Sequence, residues 1–260
     1  MKVVALNSTY RKNGSTTRLA RSALEGAASR GAETDMVVLA DHEVKHCRNC
    51  LKCYASESRD IPPCPVQDDV DAILARVTSA DGVILATPVH NGFSSASMVA
   101  FLERVTWRLC APTGRLGPLR GVPQPRSPKV RAIATLASAG GMPDRFARFC
   151  DPGPWLRETG LNLLNGRWVG GYYAAARLPR QPSSDEDWKR IYFLRRLAPD
   201  QLWAAFDLGA RVADVAARTD LTPTPMMGWV TQKVLGSVMG LGRLYREVAP
   251  DGADAAGDAT

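Results

Sequence analysis

Apolar residues along this chain alternate between short continuous runs and longer stretches in which they recur every three or four positions. Val3-Val4-Ala5-Leu6 is the first run, and residues 16–28 follow with Leu19, Ala23, Leu24 and Ala27 on one helical face. Asp35-Met36-Val37-Val38-Leu39 is a second run of the kind buried on both sides. Asp68 and Asp69 then precede Val70, Ile73, Leu74 and Val77, which are spaced as one helix face with two carboxylates at its positive end. Gly82-Val83-Ile84-Leu85-Ala86 forms a third run, a helix bearing Met98, Phe101, Leu102 and Val105 follows, and residues 130–136 form a fourth run. Residues 162–173 are expected to complete five strands. This order predicts an α/β fold, a doubly wound parallel sheet with helices on both faces. Beyond Arg177 the pattern becomes helical, over residues 202–217 and again over 226–244, with Pro223 and Pro225 between them. The last of these, with Trp229, Val234, Val238 and Leu241, would cover the core, seal a subunit contact or lie on a membrane surface. Three regions are expected: 1–176 as the sheet domain, 177–249 as a helical extension, and a small acidic, disordered tail over 250–260.

Three of the apolar runs end in loops rich in small and hydroxyl residues. In a parallel sheet these ends share one edge, so the loops should converge on one crevice. The first, Asn7-Ser8-Thr9-Tyr10-Arg11-Lys12-Asn13-Gly14-Ser15-Thr16-Thr17, passes from a strand directly into a helix. Such a junction aims unpaired amides and the positive end of the helix dipole at one point, a cradle for a phosphate monoester that needs no metal. It lacks the Gly-Lys-Ser/Thr of nucleotide triphosphate loops and the three spaced glycines of dinucleotide loops. An ordinary Ser/Thr helix cap is the plain alternative. The second loop is Thr87-Pro88-Val89-His90-Asn91-Gly92 and the third is Ala137-Ser138-Ala139-Gly140-Gly141.

A formal charge of +7 suits an acidic ligand, though a solvated surface would give the same sum. The basic residues Arg104, Arg108, Arg115, Arg120, Arg126 and Lys129 accompany a segment broken by Pro112, Pro118, Pro123, Pro125 and Pro128. It is expected to be an irregular basic excursion, attracting nucleotide phosphates or an acidic redox partner, or simply solvated. No dense basic run with interleaved aromatics is present, so nucleic acid is not expected as a partner. No leader pattern opens the chain, and no window approaches the roughly 20 apolar residues of a membrane span. A cytoplasmic protein with no transmembrane segment is the expectation.

Four of the six cysteines lie close together, Cys47, Cys50, Cys53 and Cys64, the last followed by Pro65. Two overlapping two-residue spacings let three thiolates reach one centre and a remote fourth close the shell, as in loops that hold a [4Fe-4S] cube. Zinc is a competitor, with His42 and His46 nearby, and reduced thiols without a metal are the third reading. Cys110 and Cys150 stand alone and are expected to be buried small residues.

Together these motifs make the chain resemble the flavodoxin-like NAD(P)H-dependent FMN reductases, and within them the iron–sulfur flavoproteins, over about residues 1–175. The loop from Ser8 to Thr16 is similar to the family's Gly-Ser-Pro-Arg-Lys-Asn-Gly-Ser-Thr, with Ser8 for the first Gly and Tyr10 for the Pro. The segment from Cys47 to the Asp68-Asp69 pair resembles the family's cysteine segment, with a longer gap between Cys53 and Cys64. Residues 87–92 resemble its Ser-Pro-Val-Tyr loop, with His90 in place of Tyr.

The resemblance implies a five-stranded sheet of order 2-1-3-4-5. It implies an FMN whose phosphate is received at Thr9, Arg11, Gly14, Ser15, Thr16 and Thr17. The ring would lie between Pro88, Val89, His90, Asn91 and Gly92 on one side and Ala139, Gly140 and Gly141 on the other. It further implies NAD(P)H as reductant, a quinone-like, small-molecule or protein acceptor, and a homodimer or tetramer. No catalytic side chain is named, because the flavin carries the chemistry. An electron carrier with FMN and a [4Fe-4S] cluster on Cys47, Cys50, Cys53 and Cys64 is the alternative function, and a zinc-stabilised interaction module the lesser one.

Overall fold

In the computed structural model the first apolar run folds as strand β1 (Lys2–Asn7), buried from Val3 onward. Its neighbours are parallel: β2 (Glu33–Val38) on one side and β3 (Gly82–Pro88) on the other. Strand β6 (Arg131–Ala139) pairs with β3, and β7 (Gly166–Ala175) pairs with β6, both in parallel. The sheet order is β2-β1-β3-β6-β7, which is the expected doubly wound order with a hairpin inserted between the third and fourth sheet strands. The structure describes residues 1–56, 58–116 and 118–225. The expected helix over 226–244 and the tail over 250–260 lie outside the described residues.

Alternation along β1 sorts the core into two layers. Val3 and Ala5 pack with Leu19, Ala23 and Leu208 on one face, whereas Val4 and Leu6 pack with Ile73, Val83 and Phe101 on the other. The first face is covered by α1 (Ser15–Ser29) and α7 (Pro199–Ala216). The second is covered by α2 (Val70–Ser79), α3 (Ala96–Leu109) and α4 (Gly153–Leu163). Helices α1 and α7 meet through glycines. A Cβ on Gly26 would stand 1.9 Å from the Phe206 carbonyl oxygen, and one on Gly209 would stand 1.7 Å from that of Ala23. Only backbone fits at this crossing.

Three expectations change. The fifth strand starts at Gly166, because Asn162 and Leu163 finish α4. The proline-rich excursion is an antiparallel hairpin of β4 (Cys110–Leu116) and β5 (Leu119–Pro125), with register shifts at Gly114. A two-stranded sheet has only edges, so prolines within it break no central ladder. Finally, Arg104, Arg108 and Arg126 are buried rather than solvated or offered to a ligand. Between β7 and α7 the chain makes two short helices, α5 (Asp185–Lys189) and α6 (Ile191–Leu194). Among the described residues no helix is long and apolar enough to cross a membrane.

Candidate functional site

Asn7, the last residue of β1, organises the first loop. Its fully buried side chain accepts from the Thr9 amide at 3.2 Å and donates to Thr17 Oγ1 at 3.1 Å. Thr17 in turn donates to the Arg11 carbonyl at 3.0 Å, and the Gly14 amide reaches the same carbonyl at 3.1 Å. A Cβ on Gly14 would lie 3.0 Å from Arg11 Cβ, so the turn closes tightly there. The first intrahelical bond of α1 runs from the Arg18 amide to the Gly14 carbonyl, 3.1 Å. The amides of Ser15, Thr16 and Thr17 precede it and have no acceptor among the described residues. The exposed Arg11 and Arg18 guanidiniums likewise have no partner among the described residues. Neutral and cationic donors thus gather at the positive end of the α1 dipole.

The second loop is tied to the third. Val89 donates its amide to the Ser138 carbonyl at 2.8 Å, while the Ser138 hydroxyl shares a 2.7 Å hydrogen bond with Thr16. Asn91 and Gly92 have φ of 49° and 75°, and His90 and Phe93 exchange backbone bonds across them at 2.8 and 2.9 Å. This is the turn that an Asn-Gly pair favours. Tyr10 stacks on His90 with centroids 6.0 Å apart and planes 10° apart, so the two aromatic substitutions in the loop motifs face each other.

These loops border one cleft of about 1000 Å³. From the first loop it is lined by Thr9, Arg11, Gly14, Ser15 and Thr16; from the second by Pro88, Val89 and His90; from the third by Ala139 and Gly140. Thr17, Asn91, Gly92 and Gly141 lie outside the lining, the first as a brace of the loop and the next two as the turn. Sequence reasoning placed Asn7 and Ser138 in these loops without giving either a role, and it missed a whole wall. That wall is the segment 190–197, where Tyr192 approaches within 3.3 Å of the Cβ position of Gly141. Its only sequence signal is an aromatic pair, Tyr192-Phe193, set among Arg190, Arg195 and Arg196.

The cysteine segment lies elsewhere and is held by guanidiniums. Arg104 donates to the Lys45 carbonyl at 2.9 Å, to Cys64 Sγ at 3.3 Å and to Asp68 at 2.5 Å. Arg126 donates to the carbonyls of Ser58, of Cys53 at 3.0 Å and of Ser56 at 2.7 Å. Arg108 donates to the Pro62 carbonyl at 2.9 Å and to Asp71. Burial alone would raise the Asp68 carboxyl, but hydrogen bonds from Arg104 and from the Lys45 and Val70 amides outweigh it and hold it below the usual carboxylate range. Burial pushes the Cys53 thiol up. Cys47 and Cys50 are exposed, Cys53 and Cys64 half-buried, and Asn49 and Leu51 between them adopt left-handed φ of 48° and 56°. Among the described residues no group of three or more His, Cys, Asp or Glu side chains is placed to hold a metal ion. The thiol set has the right chemistry for a cluster but not this arrangement, so no step is derived through one. Cys110 and Cys150 are buried as expected, and burial pushes the Cys110 thiol up to about 12.

The family model described as NADPH-dependent FMN reductase matches residues 1–141. An iron-sulfur flavoprotein of Methanocaldococcus jannaschii is 39% identical over 104 residues, 40% of this chain and 51% of that protein. An iron-sulfur flavoprotein of Methanosarcina thermophila is 36% identical over 104 residues, 40% of this chain and 52% of that protein. The chain therefore spans about half the length of the curated relatives it matches. Among solved structures, a flavone reductase superimposes with a TM-score of 0.56 at 16% identity, covering 86% of this chain and 66% of that one. At that identity the likeness concerns the fold.

Proposed function

The chain belongs to the NADPH-dependent FMN reductase family, and from that premise we propose that it is an FMN-dependent oxidoreductase that takes hydride from NADPH or NADH and passes reducing equivalents to a quinone-like, small-molecule or protein acceptor. The observation that carries this reading is the set of donors without acceptors at the start of α1: the Ser15, Thr16 and Thr17 amides beside the Arg11 guanidinium. A phosphate dianion satisfies all of them at once. Pro88, Val89 and His90 would flank one side of the ring and Ala139 and Gly140 the other.

When bound there, FMN supplies the hydride chemistry. What the chain contributes is position. Hydride transfer requires the reacting atoms of donor and acceptor at about 3–3.5 Å, and the hydrogen bonds that lock the three loops together would fix the cradle against the ring walls. No side-chain acid or base is required, and we name no catalytic residue.

A second reading adds a [4Fe-4S] cluster at Cys47, Cys50, Cys53 and Cys64, making the chain an electron carrier. Its support is the spacing of the four thiols and the name of the two relatives. We also propose self-association as a homodimer or tetramer, for which the exposed Trp203, stacked on Phe206 at 4.9 Å, offers an apolar face.

Anaerobic purification with an absorption spectrum, iron and zinc analysis and FMN titration tests these readings together. One FMN per chain and NAD(P)H oxidation are expected. A chain that stays colourless after reconstitution overturns the FMN reading, and iron in the loaded protein selects the carrier.

A further inference from the structure

The cleft is more cationic than one phosphate requires. Its lining includes five arginines, Arg11 and Arg18 by the cradle and Arg190, Arg195 and Arg196 on the opposite wall, and no aspartate or glutamate. Nearby arginines are neutralised: Arg177 pairs with Asp200 at 2.9 Å and Arg180 with Asp187 at 2.6 Å. Arg195 and Arg196 have no carboxylate partner among the described residues, and Arg190 reaches only Glu186, at 4.0 Å between two exposed side chains. Such a surface pair contributes little.

The wall is also well anchored. Arg177 and Arg196 exchange backbone hydrogen bonds at 2.8 Å each, tying the segment to the end of β7. Leu197 is buried in the sheet core, and Gln201, fully buried, donates to the Ala175 carbonyl at 2.9 Å. Arg195 donates Nη1 to the Ala176 carbonyl at 3.0 Å, while its Nε is buried without an acceptor. Arg104, Arg126 and Arg131 also keep an unpaired buried Nε, so what distinguishes Arg195 is its place in the cleft lining without a carboxylate partner among the described residues. Beside it, Tyr192 and Phe193 stand 68% and 62% exposed in the same cleft. Aromatic rings held out on a fixed segment, next to guanidiniums that donate to the Ala176, Phe193 and Arg195 carbonyls but have no close carboxylate, are what a planar, negatively charged ligand would cover.

We propose that the segment 190–196 is a second binding wall, which receives an aromatic ring carrying a carboxylate, sulfonate or phosphate across the cleft from the phosphate cradle. It rests on the FMN reading only for what fills the cradle side. The shared chemistry has two sources, an anionic acceptor or the nicotinamide nucleotide.

The test uses the full chain with and without FMN, and compares the wild type with Arg190→Gln/Arg196→Gln, with the Lys/Lys counterpart and with Tyr192→Ala. Quenching of intrinsic fluorescence reads the binding of naphthoquinone sulfonate and of neutral naphthoquinone, and steady-state kinetics read KM for NADPH. The Gln pair is expected to bind the sulfonate roughly tenfold more weakly, with neutral quinone and FMN affinity unchanged and the Lys pair recovering most of the loss. Tyr192→Ala should weaken both quinones several-fold, by loss of stacking. A tenfold rise in the KM for NADPH with an unmoved sulfonate arm supports the wall with the nucleotide as its ligand. No change in either arm, or a fall in FMN affinity alone, overturns the proposal. A wild type that takes up no FMN but binds the sulfonate through these arginines would remove the FMN reading and leave this one standing.

Discussion

The cysteine segment and the strand-end cleft are both built around arginines, and they use them in opposite ways. Around the cysteines, Arg104, Arg108 and Arg126 are buried and donate to carbonyls, carboxylates and a thiol of residues 45–71. In the cleft, Arg11 and Arg18 reach no acceptor among the described residues, and Arg195 and Arg196 donate to carbonyls but meet no carboxylate there. A buried guanidinium that donates to several carbonyls or carboxylates is a brace even where its Nε stays unpaired, as in Arg104 and Arg126, whereas an exposed one with no protein partner is available to a ligand. This contrast supports the cleft as the proposed binding site. The cysteine loop owes its shape to protein donors, whether or not a metal joins it.

The sharpest way to break this contrast is to remove the brace. The side chains of Arg104 and Asp68 are each 1% exposed, so Asp68→Asn or Arg104→Met leaves a buried charge unmatched and should cost about 3–5 kcal/mol in urea unfolding, with FMN affinity of the folded protein unchanged. A cost below about 1 kcal/mol would mean that the arginine is not a brace. The pH dependence gives the sign. Because the Asp68 carboxyl sits below its usual range when folded, its stabilisation is complete above the unfolded value of about 3.9 and is lost as pH falls through the folded value. The stability gap between the wild type and Asp68→Asn should therefore close on acidification below about pH 4.

The converse is expected in the cleft. Arg11→Ala should lower FMN affinity roughly tenfold or more in a calorimetric titration and leave the melting temperature where it was. Thr17→Val sits between the two regimes, because Thr17 braces the cradle without lining it. It should cost about 1 kcal/mol of stability and weaken FMN a few-fold. The smallest effect belongs to Cys47→Ser and Cys50→Ser, both at exposed positions. In metal-free protein each should shift stability by less than about 0.5 kcal/mol in thermal unfolding. In protein purified anaerobically without chelator, a shift of several kcal/mol would reveal a bound metal and move the cysteine segment into the functional class.

The sheet order and the position of the cleft were legible because they follow from local periodicity. Val3-Val4-Ala5-Leu6 and Gly82-Val83-Ile84-Leu85-Ala86 can be buried on both faces only as central parallel strands, and such strands send their loops to one edge. Asn91-Gly92 carries its turn in the dipeptide, and the Ser/Thr run after β1 carries its donors in the start of α1. The hairpin was not legible, since its prolines and arginines do not alternate by polarity, and its pairing of Cys110 with Pro125 depends on register across a turn.

What the sequence by itself determined is therefore the layered sheet, the three loops and the cysteine spacing, all of them set by neighbours within one or two turns of chain. Only the tertiary structure decided which arginines are spent and which are free, for Arg104 meets Asp68 across 36 positions and Arg126 meets the Cys53 carbonyl across 73. It likewise decided that residues 190–197 face residues 9–18 across a cleft. Charge pairing at such separations depends on where the packed helices place each side chain, and no local pattern encodes that.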